Sequence, residues 1–189
     1  MFLETICIQK GIVQNPQAHE KRMRETAAHF NFAAPELPTL ETLIPEEFSG
    51  AERVKCRIIY HTKIEEITFK KYTPKAIKSL QLVEASPNYS FKFADRTELN
   101  ALLAQKGDAD EILIVRNGCI TDTSFSNVVF RRENEFFTPD TYLLNGTKRQ
   151  LLLRQGVICE KRITEENVDE FEEVLLINAM LDIPSSFPK

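Results

Sequence analysis

The side chains best equipped for chemistry in this 189-residue chain are gathered in one short stretch, "GCITDTSFSNVVF", residues 118 to 130. Thr121, Asp122, Thr123, Ser124, Ser126 and Asn127 place hydroxyl, carboxylate and amide groups between two apolar strand ends. Two other places match it in character. Asn145-Gly146 opens the helical segment "TKRQLLLRQG", and the apolar strand "VLLINAM" runs into Asn178-Ala179. A helix N-terminus presents free N–H groups and the positive end of its dipole, which together suit a phosphate. Taken together, the three segments describe a pocket lined by backbone amides and short polar side chains.

Several other chemistries are disfavoured. With 24 basic and 28 acidic residues spread along the chain and a net charge of −4, there is no basic stripe for a nucleic-acid backbone. Cys7, Cys56, Cys119 and Cys159 lie far apart with no CxxC pair, so they read as small buried hydrophobes in a reducing compartment. His19, His29 and His61 lack metal-ligand spacing, and no metal is expected. No run approaches the ~20 apolar residues of a membrane span, and "MFLETICIQKG" has neither the basic start nor the apolar run of a signal peptide, so a cytoplasmic protein without membrane contact is expected. A hydrophobic content of 42% suffices for a real core.

The elements that must position these residues follow from pattern. "FLETICI" is a strand, and "NPQAHEKRMRETAAHFN" a helix with Asn15 as N-cap, Pro16 at its first position, and Ala18, Met23, Ala27 and Phe30 toward the core. "RVKCRIIYH", "KIEEITFKK" and "KSLQLVEA" are strands, the second half-exposed and antiparallel. "ASPNYS" reads as a linker, and "DRTELNALLAQKG" as a helix capped by Asp95 and stopped by Gly107. Asn117-Gly118 between apolar runs is a favoured hairpin turn, and "NVVFRRENEFFTP" is a second hairpin. "VICEKRI" is a strand, Thr164 caps a brief acidic helix, and "VLLINAM" is a buried strand. The class is α+β, with mixed sheets in two lobes.

At this point the motifs resemble a family. Gly118-x-Ile120-Thr121-Asp122-x4-Asn127, followed by "TP" and "LLNGTKRQLLL", is similar to the signature of fold-type IV pyridoxal-phosphate enzymes, the class-IV aminotransferases. "HEKRM" resembles that family's H-x-x-R-[LM], and "ETI" its F-E-T-I. "YSFKFADR" and "LLINAM" resemble the 4-amino-4-deoxychorismate lyase branch. The pieces occur in the expected order from about residue 2 to residue 183.

The resemblance implies a two-lobed, D-amino acid aminotransferase-like fold: a smaller N-terminal α/β lobe over residues 1–85 and a larger C-terminal lobe with a mixed sheet over 86–189, with pyridoxal 5'-phosphate between them. Lys92 would be the Schiff-base lysine, and Asp122, where the family more often has Glu, the partner of the pyridinium nitrogen. Arg22 would hold the phosphate, with Gly146, Thr147 and Lys148; Lys148 stands where the family usually has Thr. Asn178 would face the phosphate or a substrate carboxylate, Ser124 and Ser126 would lie beside the ring, and Asn127 would brace the loop. Thr5 would border the substrate, with Cys7 where the family often has Arg, and Arg96 would either orient a substrate carboxylate or pair with Asp95 or Glu98.

The implied reaction is release of pyruvate and p-aminobenzoate from 4-amino-4-deoxychorismate, a small-molecule substrate of folate synthesis, by a homodimer. The alternatives are a class-IV aminotransferase acting on branched-chain or D-amino acids, and a truncated, non-catalytic homologue, since the chain opens directly on its first strand.

Overall fold

The computed structural model describes residues 1–48 and 50–184. By contacts the chain divides into two units, one of Met1–Pro74 with Phe91–Asp95, the other of Lys75–Ser90 with the described residues from Arg96 onward. The break anticipated after residue 85 therefore falls inside a stretch that goes with the second unit, while the lysine segment returns to the first.

In the first unit, β1 (Phe2–Gln9) pairs antiparallel with β2 (Ile12–Val13) and β3 (Arg53–Tyr60), and β3 with β4 (Ile64–Lys71), giving the order β2-β1-β3-β4. All pairs of this sheet are antiparallel, so the parallel pairing expected of a mixed sheet is confined to the second unit. Because side chains alternate across a strand, Ile6, Ile8, Val54, Cys56 and Ile58 share one face and form its core with Val13 and Leu40. Burial in that core pushes the Cys56 thiol up to about 12.

Helix α1 (Pro16–His29) buries His19, Arg22, Met23, Thr26 and Ala27. The face is thus not the apolar stripe Ala18–Met23–Ala27–Phe30: Ala18 is half-buried and Phe30 is exposed. Polar residues go inside because a buried acid on β1 awaits them. Asn15 does precede the helix, but in left-handed conformation (φ 53°) and without a side-chain cap bond; Pro16 alone presets the first turn.

In the second unit, β5 (Leu80–Glu84) runs parallel to β6 (Glu111–Arg116), which turns through Asn117 and Gly118, both at positive φ, into β7 (Cys119–Thr123). That is the two-residue turn whose twist suits a hairpin. β8 (Asn127–Arg132) and β9 (Glu135–Pro139) form the second hairpin; β10 (Cys159–Lys161) lies parallel to β9, and β11 (Glu173–Ile177) antiparallel to β8. Helices α2 (Thr97–Leu103) and α3 (Thr147–Arg154) complete the unit.

Three expectations fail locally. Arg96, not Asp95, precedes α2, and Asn167, not Thr164, stands at the start of the short acidic turn Val168–Glu170, accepting a bond from the Thr164 N–H. β11 is half-buried and stops at Ile177, ahead of Asn178.

Candidate active site

Strands β7 and β8 meet at a single register pair, Asp122 opposite Asn127. The four residues between them are held by their own side chains: Thr123 Oγ1 accepts from the Phe125 and Ser126 N–H groups (3.3 and 3.0 Å) and lies 2.8 Å from Ser126 Oγ. The Ser124 N–H donates to Glu111, a buried carboxylate at the start of β6. The hydroxyls of the polar stretch therefore shape a tight loop as well as lining it.

Asp122 is 5% exposed, and the donors to it among the described residues are neutral. Its Oδ1 accepts from Asn127 Nδ2 at 2.8 Å, and its Oδ2 from the Leu143 and Leu144 N–H groups at 3.0 and 2.9 Å. Burial pushes its pKa up to about 6 against these bonds and the nearby charge of Arg149. A carboxylate offers about four lone-pair sites, so Oδ1 retains capacity for one further donor. A cationic N–H placed there would favour the ionised form that burial disfavours.

Asn127 joins this carboxylate to the loop before α3. Its second N–H goes to the Leu144 carbonyl at 2.8 Å, and a Cβ on Gly146 would come within 2.2 Å of its Oδ1. Gly146 is required here for space: its φ of −64° is open to any residue. Thr147, the first residue of α3, is buried. Lys148 turns its ammonium to Asp182 at 2.7 Å. Arg149, 2% exposed, spans the Pro139 carbonyl, Asn145 and Glu160, with its guanidinium over the Tyr142 ring.

Asn178 uses its Oδ1 to accept the Met180 and Leu181 N–H groups (2.8 and 3.0 Å), forming the turn after β11, while its Nδ2 reaches the Phe125 carbonyl at 3.4 Å. Arg96 donates to the Ser124 carbonyl at 2.7 Å and to the Tyr89 hydroxyl at 3.4 Å, while Glu98 accepts the Asn88 N–H. Within the second unit Asp122 thus bonds Asn127, whose amide lies where a Gly146 side chain would fall, while Ser124, Ser126 and Asn178 are tied to the 123–126 loop and its neighbours Glu111 and Arg96.

The first unit carries the remaining candidates. Lys92 is half-buried, between Phe91 and Phe93, which both pack on the cluster of Phe2, Met23 and Tyr60. Phe93 bridges Phe2, and the Leu3 N–H donates to the Lys92 carbonyl at 2.9 Å. The lysine is thereby held on the edge of β1. Thr5 is half-buried in the same strand.

Arg22 projects from α1 onto Glu4, donating through Nε (2.8 Å) and one Nη (2.5 Å), while His19 Nδ1 meets the same carboxylate at 2.6 Å. Glu4 is fully buried. Desolvation raises its pKa, but the charge of Arg22 and the hydrogen bonds from His19 and Arg22 outweigh it and hold it at about 2. Sequence reasoning assigned neither Glu4 nor His19 a part; the signal was an acid at a core position of an otherwise apolar strand and a histidine one turn before Arg22.

Among the described residues no group of three or more His, Cys, Asp or Glu is arranged for a metal ion, and no helix is long and apolar enough to cross a membrane. The pattern of the amino-transferase class IV family matches residues 1–184. An uncharacterised protein of Haemophilus influenzae is 38% identical over 183 residues, 95% of this chain and 97% of that one. A protein of Schizosaccharomyces pombe named "Putative aminodeoxychorismate lyase" is 27% identical, covering 86% of this chain and 78% of that one. A "putative 4-amino-4-deoxychorismate lyase" from Haemophilus somnus superposes with a TM-score of 0.84 at 34% identity, over 96% of this chain and 97% of that chain.

"A hypothetical aminotransferase from Mycobacterium tuberculosis, PLP-bound form" has the same fold at 18% identity, TM-score 0.75, over 95% of this chain and 77% of that one. The chain belongs to the class IV aminotransferases, the fold-type IV family of pyridoxal-phosphate enzymes.

Proposed function

We propose that this enzyme is a pyridoxal-phosphate-dependent 4-amino-4-deoxychorismate lyase. The observation that carries the cofactor assignment is Asp122: a buried carboxylate with neutral hydrogen-bond donors and one lone-pair site to spare suits a ring nitrogen that must stay protonated. The lyase assignment is supported by the names of the relatives at 34% and 27% identity, and by "KFADR" and "LLINAM".

When bound, pyridoxal phosphate supplies an electron sink for the carbanion left when a bond beside the substrate nitrogen breaks. Lys92 supplies the amine that carries it, and Asp122 keeps its ring nitrogen protonated. Arg22, oriented by Glu4 and His19, holds its phosphate, together with the amides at Thr147 and Lys148; Ser124 and Ser126 flank the ring and Asn127 keeps Asp122 in place. Asn178 positions the loop at Phe125, and Thr5 and Arg96 border the substrate. Lys92 Nζ would take the proton from the substrate ring and give it up to the departing enolpyruvyl group, which would leave as pyruvate as the ring becomes aromatic. A cytoplasmic homodimer belongs to the same reading.

The test is to incubate the protein with pyridoxal phosphate, chorismate, glutamine and an aminodeoxychorismate synthase and to measure p-aminobenzoate. Product that disappears with Lys92→Ala supports the lyase. Absence of product, with keto acids formed from amino donors, moves the assignment to aminotransferase.

A further inference from the structure

Among the described residues Arg149 is the largest of the fully buried side chains, and it carries a full charge. Its counter-ion, Glu160 on β10, lies 2.6 Å away with its own side chain half exposed. Its Nε has no hydrogen-bond partner among the described residues. A buried cation set against a solvated acid adds little to stability, and an apolar side chain of similar volume often serves a fold as well or better. Stability alone therefore does not account for a cation here.

The segment 139–145 does account for it, because Arg149 fixes that segment at three points. Its Nη2 donates to the Pro139 carbonyl at the start (3.0 Å) and its Nη1 to Asn145 Oδ1 at the end (3.3 Å), while the guanidinium lies over the Tyr142 ring in the middle, 4.5 Å from its centre. Thr141 donates to the Ile120 carbonyl at 2.6 Å, two residues before Asp122. Between these ties the Leu143 and Leu144 N–H groups turn onto Asp122 Oδ2, and the Leu144 carbonyl accepts from Asn127 Nδ2. Two donors to Asp122, and the brace on Asn127, thus come from a segment whose course Arg149 sets.

Charge acts in the same sense as geometry. Burial disfavours the ionised form of Asp122, and Arg149 is the charged group among the influences that favour it. The other charged side chains around this region are committed elsewhere: Glu111 to the Ser124 N–H, Arg96 to the Ser124 carbonyl, Arg116 to the Tyr142 carbonyl, and Glu160 to Arg149 itself. A lysine would keep the charge, but its single ammonium lacks the planar fork that reaches two separate acceptors and stacks on a ring.

We infer that Arg149 is a positioning residue for the cofactor ring: it clamps the 139–145 segment so that the Leu143 and Leu144 amides hold the Asp122 carboxylate for the ring nitrogen. This rests on the reading of Asp122 given above and adds the residue that keeps it in place.

The experiment has two readouts on the full chain. In the apoprotein, urea unfolding across pH is compared for wild type, Arg149→Met, Arg149→Lys and Glu160→Gln, each with and without Asp122→Asn, so that the difference isolates Asp122. The stability lost as pH rises through about 6 is expected to move upward by about one pH unit in Arg149→Met, since loss of a cation and of held donors both disfavour the carboxylate. Arg149→Lys should move it less, and Glu160→Gln should not raise it. If Arg149 served only as the partner of Glu160, Arg149→Met and Glu160→Gln would lower stability alike and leave the Asp122 titration in place, which would overturn the inference.

The second readout is cofactor affinity, by absorbance, for pyridoxal phosphate and for its carbocyclic analogue with C–H in place of the ring nitrogen. Arg149→Met should weaken the first about tenfold and the second by less than about twofold. Equal weakening of both, or weakening of neither, would overturn the inference. Should Arg149→Met not fold, Arg149→Lys serves, with a loss of a few-fold expected for pyridoxal phosphate alone and an unchanged affinity overturning it. If wild type binds neither compound, the cofactor reading falls, and the apoprotein titration still decides whether Arg149 clamps Asp122.

Discussion

Glu4→Gln tests the buried group that orients Arg22. The glutamate carboxylate takes two bonds from Arg22 and one from His19 in a fully buried position. Its pKa falls from 4.5 to about 2 on folding. A folded pKa below the unfolded one contributes stability above the unfolded value and loses it as pH falls toward the folded one. At 1.36 kcal/mol per pKa unit the carboxylate contributes roughly 3 kcal/mol near pH 7, falling to about 1 kcal/mol near pH 3.

Glutamine keeps the shape but, like the protonated acid, turns one acceptor into a donor that faces another donor. The variant should therefore be destabilised by about 3 kcal/mol near neutrality, with the gap to wild type shrinking below about pH 4.5. Urea unfolding of both proteins across that pH range reads it directly. A gap under about 1 kcal/mol at neutral pH, or one that does not change with pH, would refute the assignment of that stability to the Glu4 carboxylate. Because Arg22 also loses its brace, cofactor affinity should weaken about tenfold in the same variant.

Asp122 has the opposite sign. Its pKa is raised from 3.8 to about 6, so the stability it contributes is complete below 3.8 and lost as pH rises through about 6. Apoprotein stability should drop by roughly 3 kcal/mol across that window, and Asp122→Asn should flatten the drop; a wild-type curve already flat there would contradict it. Gly146→Ala should lower stability by about 2 kcal/mol or more, because its Cβ meets Asn127 Oδ1 at 2.2 Å, and thermal melts of the single variant and of Gly146→Ala with Asn127→Ser should show the second substitution restoring part of it. A visible absorbance band on adding pyridoxal phosphate, fixed covalently by borohydride in wild type, should be absent in Lys92→Ala. Retention of the fixed band in the variant would mean that another amine carries the cofactor.

Local pattern sufficed for the strands, the Asn117-Gly118 hairpin, the start of α3 past Gly146 and the ordered motifs that mark the family, because alternation, turn chemistry and helix entry depend on near neighbours. The same reasoning misplaced the buried face of α1 and the caps at Asp95 and Thr164, where the choice between competing polar residues is made by distant contacts. Tertiary structure alone decided the environment of Asp122, whose donors Leu143 and Leu144 are 21 and 22 residues away, and the clasp of Glu4, His19 and Arg22 across 15 and 18 residues. It also decided the diversion of Lys148 to Asp182 and the reach of Arg149 to Pro139 and Asn145. Burial and register are properties of pairs brought together by folding, so the charge state of an acid or the face of a lysine is settled only when the partner strands are in place.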